Sequence, residues 1–201
     1  MAIALFHAEG PEPALQYLEK IPGGELSGDG LLLKASILEA AGRKAEAEKT
    51  LDQGLRGVST KPLVVQQAVL MLLRLNRKED VLNLLKQSIP ANPQDSDLPL
   101  TNAIVLGLMD RHSTAEKALR EIELHWPEWD RAYLAHGLLL ERAARPEEAR
   151  QRLQIAVALG CQDPSLRCAL ARLAGTPNPG PECACLTGLE QLLVPGCKQQ
   201  P

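Results

Sequence analysis

Aromatic side chains are almost missing from this sequence: its 201 residues include two Trp, two Tyr and one Phe. Apolar residues still make up 45% of the chain. Its core must therefore be filled by Leu, Ala, Val and Ile, the material of helix-on-helix packing. Long apolar runs are missing as well. None approaches the roughly 18 residues of a membrane span, and nothing resembles a signal-peptidase site. Neither charge sign dominates, with 22 Lys and Arg against 25 Asp and Glu and a net charge of −3. No broad basic field exists to attract nucleic acid or anionic lipid. GxxxxGK[ST], GxSxG, GxGxxG and HExxH are all absent. His7, His112, His125 and His136 are scattered, Gly28-Asp-Gly30 reads as a loop before a helix, and Glu147-Glu148 suits a helix start. These absences predict a protein that is not an enzyme, with no catalytic residues, metal or cofactor.

What is present is a rhythm. Leu38, Leu72, Leu106 and Leu140 lie 34 residues apart, and so do Leu51, Leu85, Leu119 and Leu153. A third column in the same register holds Ala47, Val81, Ala115 and Ala149. Fixed-period self-similarity marks stacked units, each too small to bury its own apolar face. Within a period the pattern reads as helix, short turn, helix. Trp129 to Arg142 carries Tyr133, Leu134, Gly137, Leu138 and Leu140 at helical spacing, with Asp130 as its expected N-cap. Ala143 to Pro146 form the turn. A second helix is expected over Glu147 to Leu159, stopped by Gly160. First helices are predicted to start near Gly30, Pro62, Leu98 and Pro164, and their partners near Lys44, Lys78 and Ser113. Small residues at Ala35, Ala103, Gly137 and Ala171 share one column, which Val69 interrupts.

This pattern resembles the tetratricopeptide repeat family over roughly residues 28–175. The family's small-residue column matches Ala35, Ala103, Gly137 and Ala171. Its second-helix alanine matches Ala47, Ala115 and Ala149, and its large apolar residue matches Leu51, Leu85, Leu119 and Leu153. The closing proline matches Pro93 and Pro127, whereas Ser59 and Cys161 depart from it. Tyr133 meets the bulky position near the start of a unit; Pro99 replaces it in the third unit, whose first helix is therefore expected to begin late.

The resemblance implies an all-α, right-handed superhelical solenoid of antiparallel helix hairpins, closed by a C-terminal capping helix. It further implies a protein or peptide partner held in a concave groove lined by the first helices. By phase, the groove candidates are Leu32, Ser36, Gln66, Leu70, Arg74, Leu100, Ile104, Leu134, Leu138 and Glu141. That strip is mostly apolar. The positions of the family's carboxylate clamp hold Leu32, Gln66, Leu100 and Leu134, so a hydrophobic peptide or amphipathic helix is expected instead.

The two ends depart from the rhythm. Residues 1–27 read as a partial repeat, with Tyr17 in the leucine column and Pro13 in the alanine column. That half-unit implies a piece of a longer protein and an exposed stack end suited to homo-oligomerisation. An accessory or oligomerisation region attached to an upstream enzyme domain is the alternative function. Residues 176–201 read as a Pro-rich linker and a helix over Ala184 to Val194, with Leu186, Leu189, Leu192 and Leu193 on one side. All five cysteines lie near this end. A disulfide from Cys183 or Cys185 to Cys197 would pin the helix and favour the cell envelope or exterior over the cytoplasm. A zinc site would add Cys161 or Cys168 to Cys183, Cys185 and Cys197, though without paired C-x-x-C knuckles. Free thiols, with Cys161 and Cys168 as small core residues, complete the alternatives.

Overall fold

A computed structural model describes residues 1–21, 26–176 and Cys183. Among the described residues there are eleven α-helices and no strand, divided between the units Met1–Arg77 and Lys78–Pro201. The expected helix over Ala184 to Val194 lies outside the described residues.

The first unit contains α1 (Ala2–Glu9), α2 (Pro11–Glu19), α3 (Gly28–Ala40), α4 (Lys44–Leu55) and α5 (Pro62–Arg74). Pro11 and Pro62 open their helices, where a missing N–H costs nothing. α1 and α2 fold back on each other at Gly10 and bury Ala2, Ala14, Leu15 and Leu18 against Ile37, Leu38 and Ala47. The start of α3 meets the chain just past α4 so closely that a Cβ on Gly28 would lie 2.1 Å from the Gly57 carbonyl oxygen. Only glycine fits there. The Asp29 carboxylate accepts from the backbone N–H and hydroxyl of Ser59, both at 2.9 Å, and fixes the chain leading into α5.

The second unit contains α6 (Lys78–Ala91), α7 (Asp97–Leu108), α8 (His112–His125), α9 (Asp130–Arg142), α10 (Pro146–Ala158) and α11 (Pro164–Leu173). An apolar core runs from Leu100 on α7 through Leu119, Leu134, Leu138 and Leu153 to Leu166 on α11. Two helices are covered on almost every side. α9 buries Ala132 and all residues from Leu134 to Leu140, and α7 buries Leu98, Leu100 and Ala103 to Leu108. Gly137 lets α9 approach α10: a Cβ there would fall 2.5 Å from Leu153 Cδ2. At the α8–α9 connection, Trp126 and Trp129 meet edge to face at 6.3 Å and pack on this core.

The sequence columns become structural layers. Leu51, Leu85, Leu119 and Leu153 are each 0% exposed, and Leu38, Leu72, Leu106 and Leu140 lie at 7% or below. Each helix of the latter column ends in the same way. Gly42, Asn76, Asp110 and Ala144 take positive φ of 77°, 56°, 56° and 56°, one period apart. After each comes an arginine, whose backbone N–H donates to the column leucine: Arg43 to Leu38, Arg77 to Leu72, Arg111 to Leu106 and Arg145 to Leu140. This is the bond that closes a helix around a left-handed residue.

Arginines also hold the hairpins in register within each unit. Arg77 reaches Asp52 at 2.6 Å, Arg145 reaches Glu116 at 2.7 Å and Arg172 reaches Glu141 at 2.7 Å, while Arg111 pairs with Glu79.

Two local expectations change. Asp130 is the first residue of α9 rather than its N-cap, which is Trp129; the Asp130 carboxylate accepts from the Arg131 N–H instead. α7 does not begin late. It starts at Asp97, because Pro99 falls in the first turn, where no donor is needed.

Candidate interaction surface

Burial separates the ten groove candidates into two groups. Leu32, Leu100, Ile104, Leu134 and Leu138 are between 0% and 2% exposed. They fill the space between helices and offer no surface to a partner, which corrects the expected apolar strip. The cause is that other helices cover these particular positions: helical phase identifies an apolar stripe but not whether protein or solvent lies over it.

Ser36, Gln66, Leu70 and Glu141 are half-buried, and Arg74 is exposed. The Ser36 hydroxyl donates to the Leu33 carbonyl at 2.8 Å. Arg74, at the end of α5, meets Glu39, near the end of α3, at 3.2 Å. Glu141, in the second unit, is held by Arg172. The accessible candidates on the first unit are thus Ser36, Gln66, Leu70 and Arg74, a mainly polar group.

A pocket of about 100 Å³ opens beside Arg74, lined by Glu39, Lys44, Ala47, Met71, Arg74 and Leu75. Phase analysis of first helices missed it because two of its residues, Lys44 and Ala47, come from the second helix α4. The arginine column at 43, 77, 111 and 145 was also missed, although its spacing equals that of the leucines.

In the second unit, a buried histidine and glutamate pair extends to a half-buried arginine. His136 Nδ1 lies 2.7 Å from Glu123 Oε1, and Arg152 reaches Glu123 Oε2 at 3.1 Å. His136 is 1% exposed, and its Nε2 has no hydrogen-bond partner. The three residues link α8, α9 and α10. The histidine is closed to solvent, and the arrangement ties the three helices together.

Cys183 is bonded to Cys168, not to Cys197 as the sequence suggested. Cys168 sits fully buried on α11 and Cys183 is 8% exposed, so the bridge attaches residue 183 to α11. Cys185 and Cys197 lie outside the described residues. Cys161 is a free thiol, pushed up to about 11 by burial. Among the described residues no group of three or more His, Cys, Asp or Glu is placed to hold a metal, and no helix is long and apolar enough to cross a membrane.

No family model and no curated protein matches this sequence. Solved structures do. MamA from Desulfovibrio magneticus RS-1, residue 41 to its end, is 17% identical with a TM-score of 0.61, covering 79% of this chain and 90% of that one. A tetratricopeptide repeat protein from Parabacteroides merdae is 18% identical with a TM-score of 0.70, over 87% of this chain and 71% of that one. The chain has a tetratricopeptide-repeat fold. YrrB, a tetratricopeptide repeat protein with an unusual peptide-binding site, is similar too, at 17% identity and a TM-score of 0.65, covering 85% of this chain and 87% of YrrB. The tetratricopeptide-repeat fold explains why the leucine and alanine columns bury, since each lies where one helix meets its partner or the next hairpin.

Proposed function

We propose that this chain is a non-catalytic protein–protein interaction module that binds an extended peptide or partner helix on the first-helix face of its first unit. The observation that carries the reading is the open group Ser36, Gln66, Leu70 and Arg74 on two successive first helices, α3 and α5, joined by the Arg74–Glu39 pair. Its chemistry is more polar than the sequence suggested. Backbone-directed hydrogen bonds from Gln66 and Arg74, with one apolar contact at Leu70, suit a peptide better than a strongly hydrophobic helix. Peptide binding by YrrB, whose fold is similar, supports the same reading. The Cys168–Cys183 bridge supports an oxidising compartment for the protein.

Selection of a displayed random-peptide library on the immobilised chain tests this. The expected result is enrichment of related peptides whose affinity falls about tenfold in Gln66→Arg and in Leu70→Glu, each checked for unchanged helicity; tenfold is about 1.4 kcal/mol. A library that never enriches, or peptides indifferent to both substitutions, refutes the proposal.

A further inference from the structure

The first unit opens a second time where three helices converge. The end of α3 supplies Glu39, the start of α4 supplies Lys44 and Ala47, and the end of α5 supplies Met71, Arg74 and Leu75. Together they enclose about 100 Å³. That is enough for several waters or for one aliphatic side chain. Ala47 and Met71 are each 5% exposed and make an apolar floor, and methionine adapts its shape to what it meets.

The rim is charged and unbalanced. Arg74 and Glu39 offset each other at 3.2 Å, while Lys44 is exposed and forms no ion pair among the described residues. A net positive rim above an apolar floor recognises an aliphatic side chain with a carboxylate beside it. A basic neighbour would meet Lys44 and be repelled, and a neutral one would forgo the attraction. The Arg74–Glu39 pair is exposed and therefore weak, so the guanidinium can turn part of its donor fork toward an incoming carboxylate.

We propose that this pocket is an anchor subsite for acidic peptides: a Val- to Leu-sized side chain enters over Ala47 and Met71, and an adjacent Asp or Glu pairs with Lys44 and Arg74. The inference rests on the interaction-module reading and adds to it the chemical class of the partner. It also names a site built partly from the second helix, with lining residues other than Ser36, Gln66 and Leu70.

The test is an amide-resolved NMR titration of the full chain with acetyl-Gly-Leu-Glu-Gly-amide, and with the same peptide carrying Gln for Glu. Saturable shifts centred on Ala47, Met71 and Leu75 are expected for the acidic peptide. Binding is expected to weaken about fivefold for the Gln peptide, for Lys44→Glu and for Lys44→Gln, the loss appropriate to one exposed ion pair. Lys44 is on the surface, and the glutamine variant keeps the comparison open if charge reversal disturbs α4. No saturable shift at those three amides, or equal responses to both peptides, overturns the proposal. The two failures appear in different assays. Library peptides that depend on Gln66 and Leu70 but ignore Lys44 would sink the pocket alone, whereas a library without enrichment sinks the interaction reading.

Discussion

Replacing Ala144 by glycine should stabilise the protein. Ala144 lies in the left-handed region at φ 56°, just past α9, where its N–H donates to Glu141 and the next N–H to Leu140. An L-residue there carries roughly 1–2 kcal/mol of steric cost. Asn76 and Asp110 occupy equivalent places with short polar side chains suited to that region, and Gly42 has no Cβ to strain. Ala144 has neither relief. Against the gain stands the extra freedom of glycine in the unfolded chain, about 0.4–1 kcal/mol. Ala144 is exposed, so no packing is lost. The net gain is about 0.5–1 kcal/mol, or about 1–4 °C in Tm for a chain of this size. Gly42→Ala supplies the reciprocal measurement. A Cβ on Gly42 meets nothing within 4 Å, so its expected loss of similar size comes from the backbone alone. Urea midpoints and thermal scans of both variants decide the matter. A less stable Ala144→Gly, or a more stable Gly42→Ala, would refute the reasoning.

Gly137→Ala should destabilise by about 1–2 kcal/mol in urea, because forcing a methyl into Leu153 at 2.5 Å costs more than the roughly 1 kcal/mol gained in helix propensity; an increase in the urea midpoint would contradict this. Reducing the Cys168–Cys183 bridge, or changing Cys183→Ala, opens a link spanning 15 residues and should cost about 3 kcal/mol, read as a lower Tm that reductant does not depress further in the variant. Cys161 should alkylate at pH 8 on the order of a hundredfold more slowly than an ordinary thiol, because burial holds its pKa at about 11; rapid labelling of an alkylated Cys161 peptide in mass spectrometry would oppose it. The Glu116 carboxyl is held below its usual range mainly by the hydrogen bond from Arg145, against desolvation and with further help from Arg120. Its contribution is complete above the ordinary glutamate value of about 4.3 and is lost as pH falls through the lower folded value, so Glu116→Gln should flatten the acid side of the stability profile.

The fold was legible because its signal is redundant. Leu51, Leu85, Leu119 and Leu153 repeat one environment, and any one of them misread would be corrected by the other three. The candidate site had no such redundancy. Leu134 and Leu138 share a helical phase with Leu70, yet the first two are closed over by neighbouring helices and the third is partly open. Which neighbour covers a helix depends on packing between hairpins, and no periodicity along one helix records it. The Glu123–His136–Arg152 network was hidden for another reason: its members come from three helices at unrelated spacings, so only the folded chain brings them together. Cys183, with Cys185 as the alternative, was expected to bridge Cys197 because that link would pin the downstream helix, whereas α11 brings Cys168 to within 5.4 Å of Cys183 between Cα atoms.

The scarcity of aromatic residues leaves Trp126 and Trp129, side by side at the α8–α9 connection, as the chain's whole complement of indoles. Intrinsic emission is therefore a local optical gauge. It reports the loosening of that one joint in the second unit, while circular dichroism averages over every helix. Overlaid melting curves from the two signals measure directly whether the hairpins come apart together or one after another.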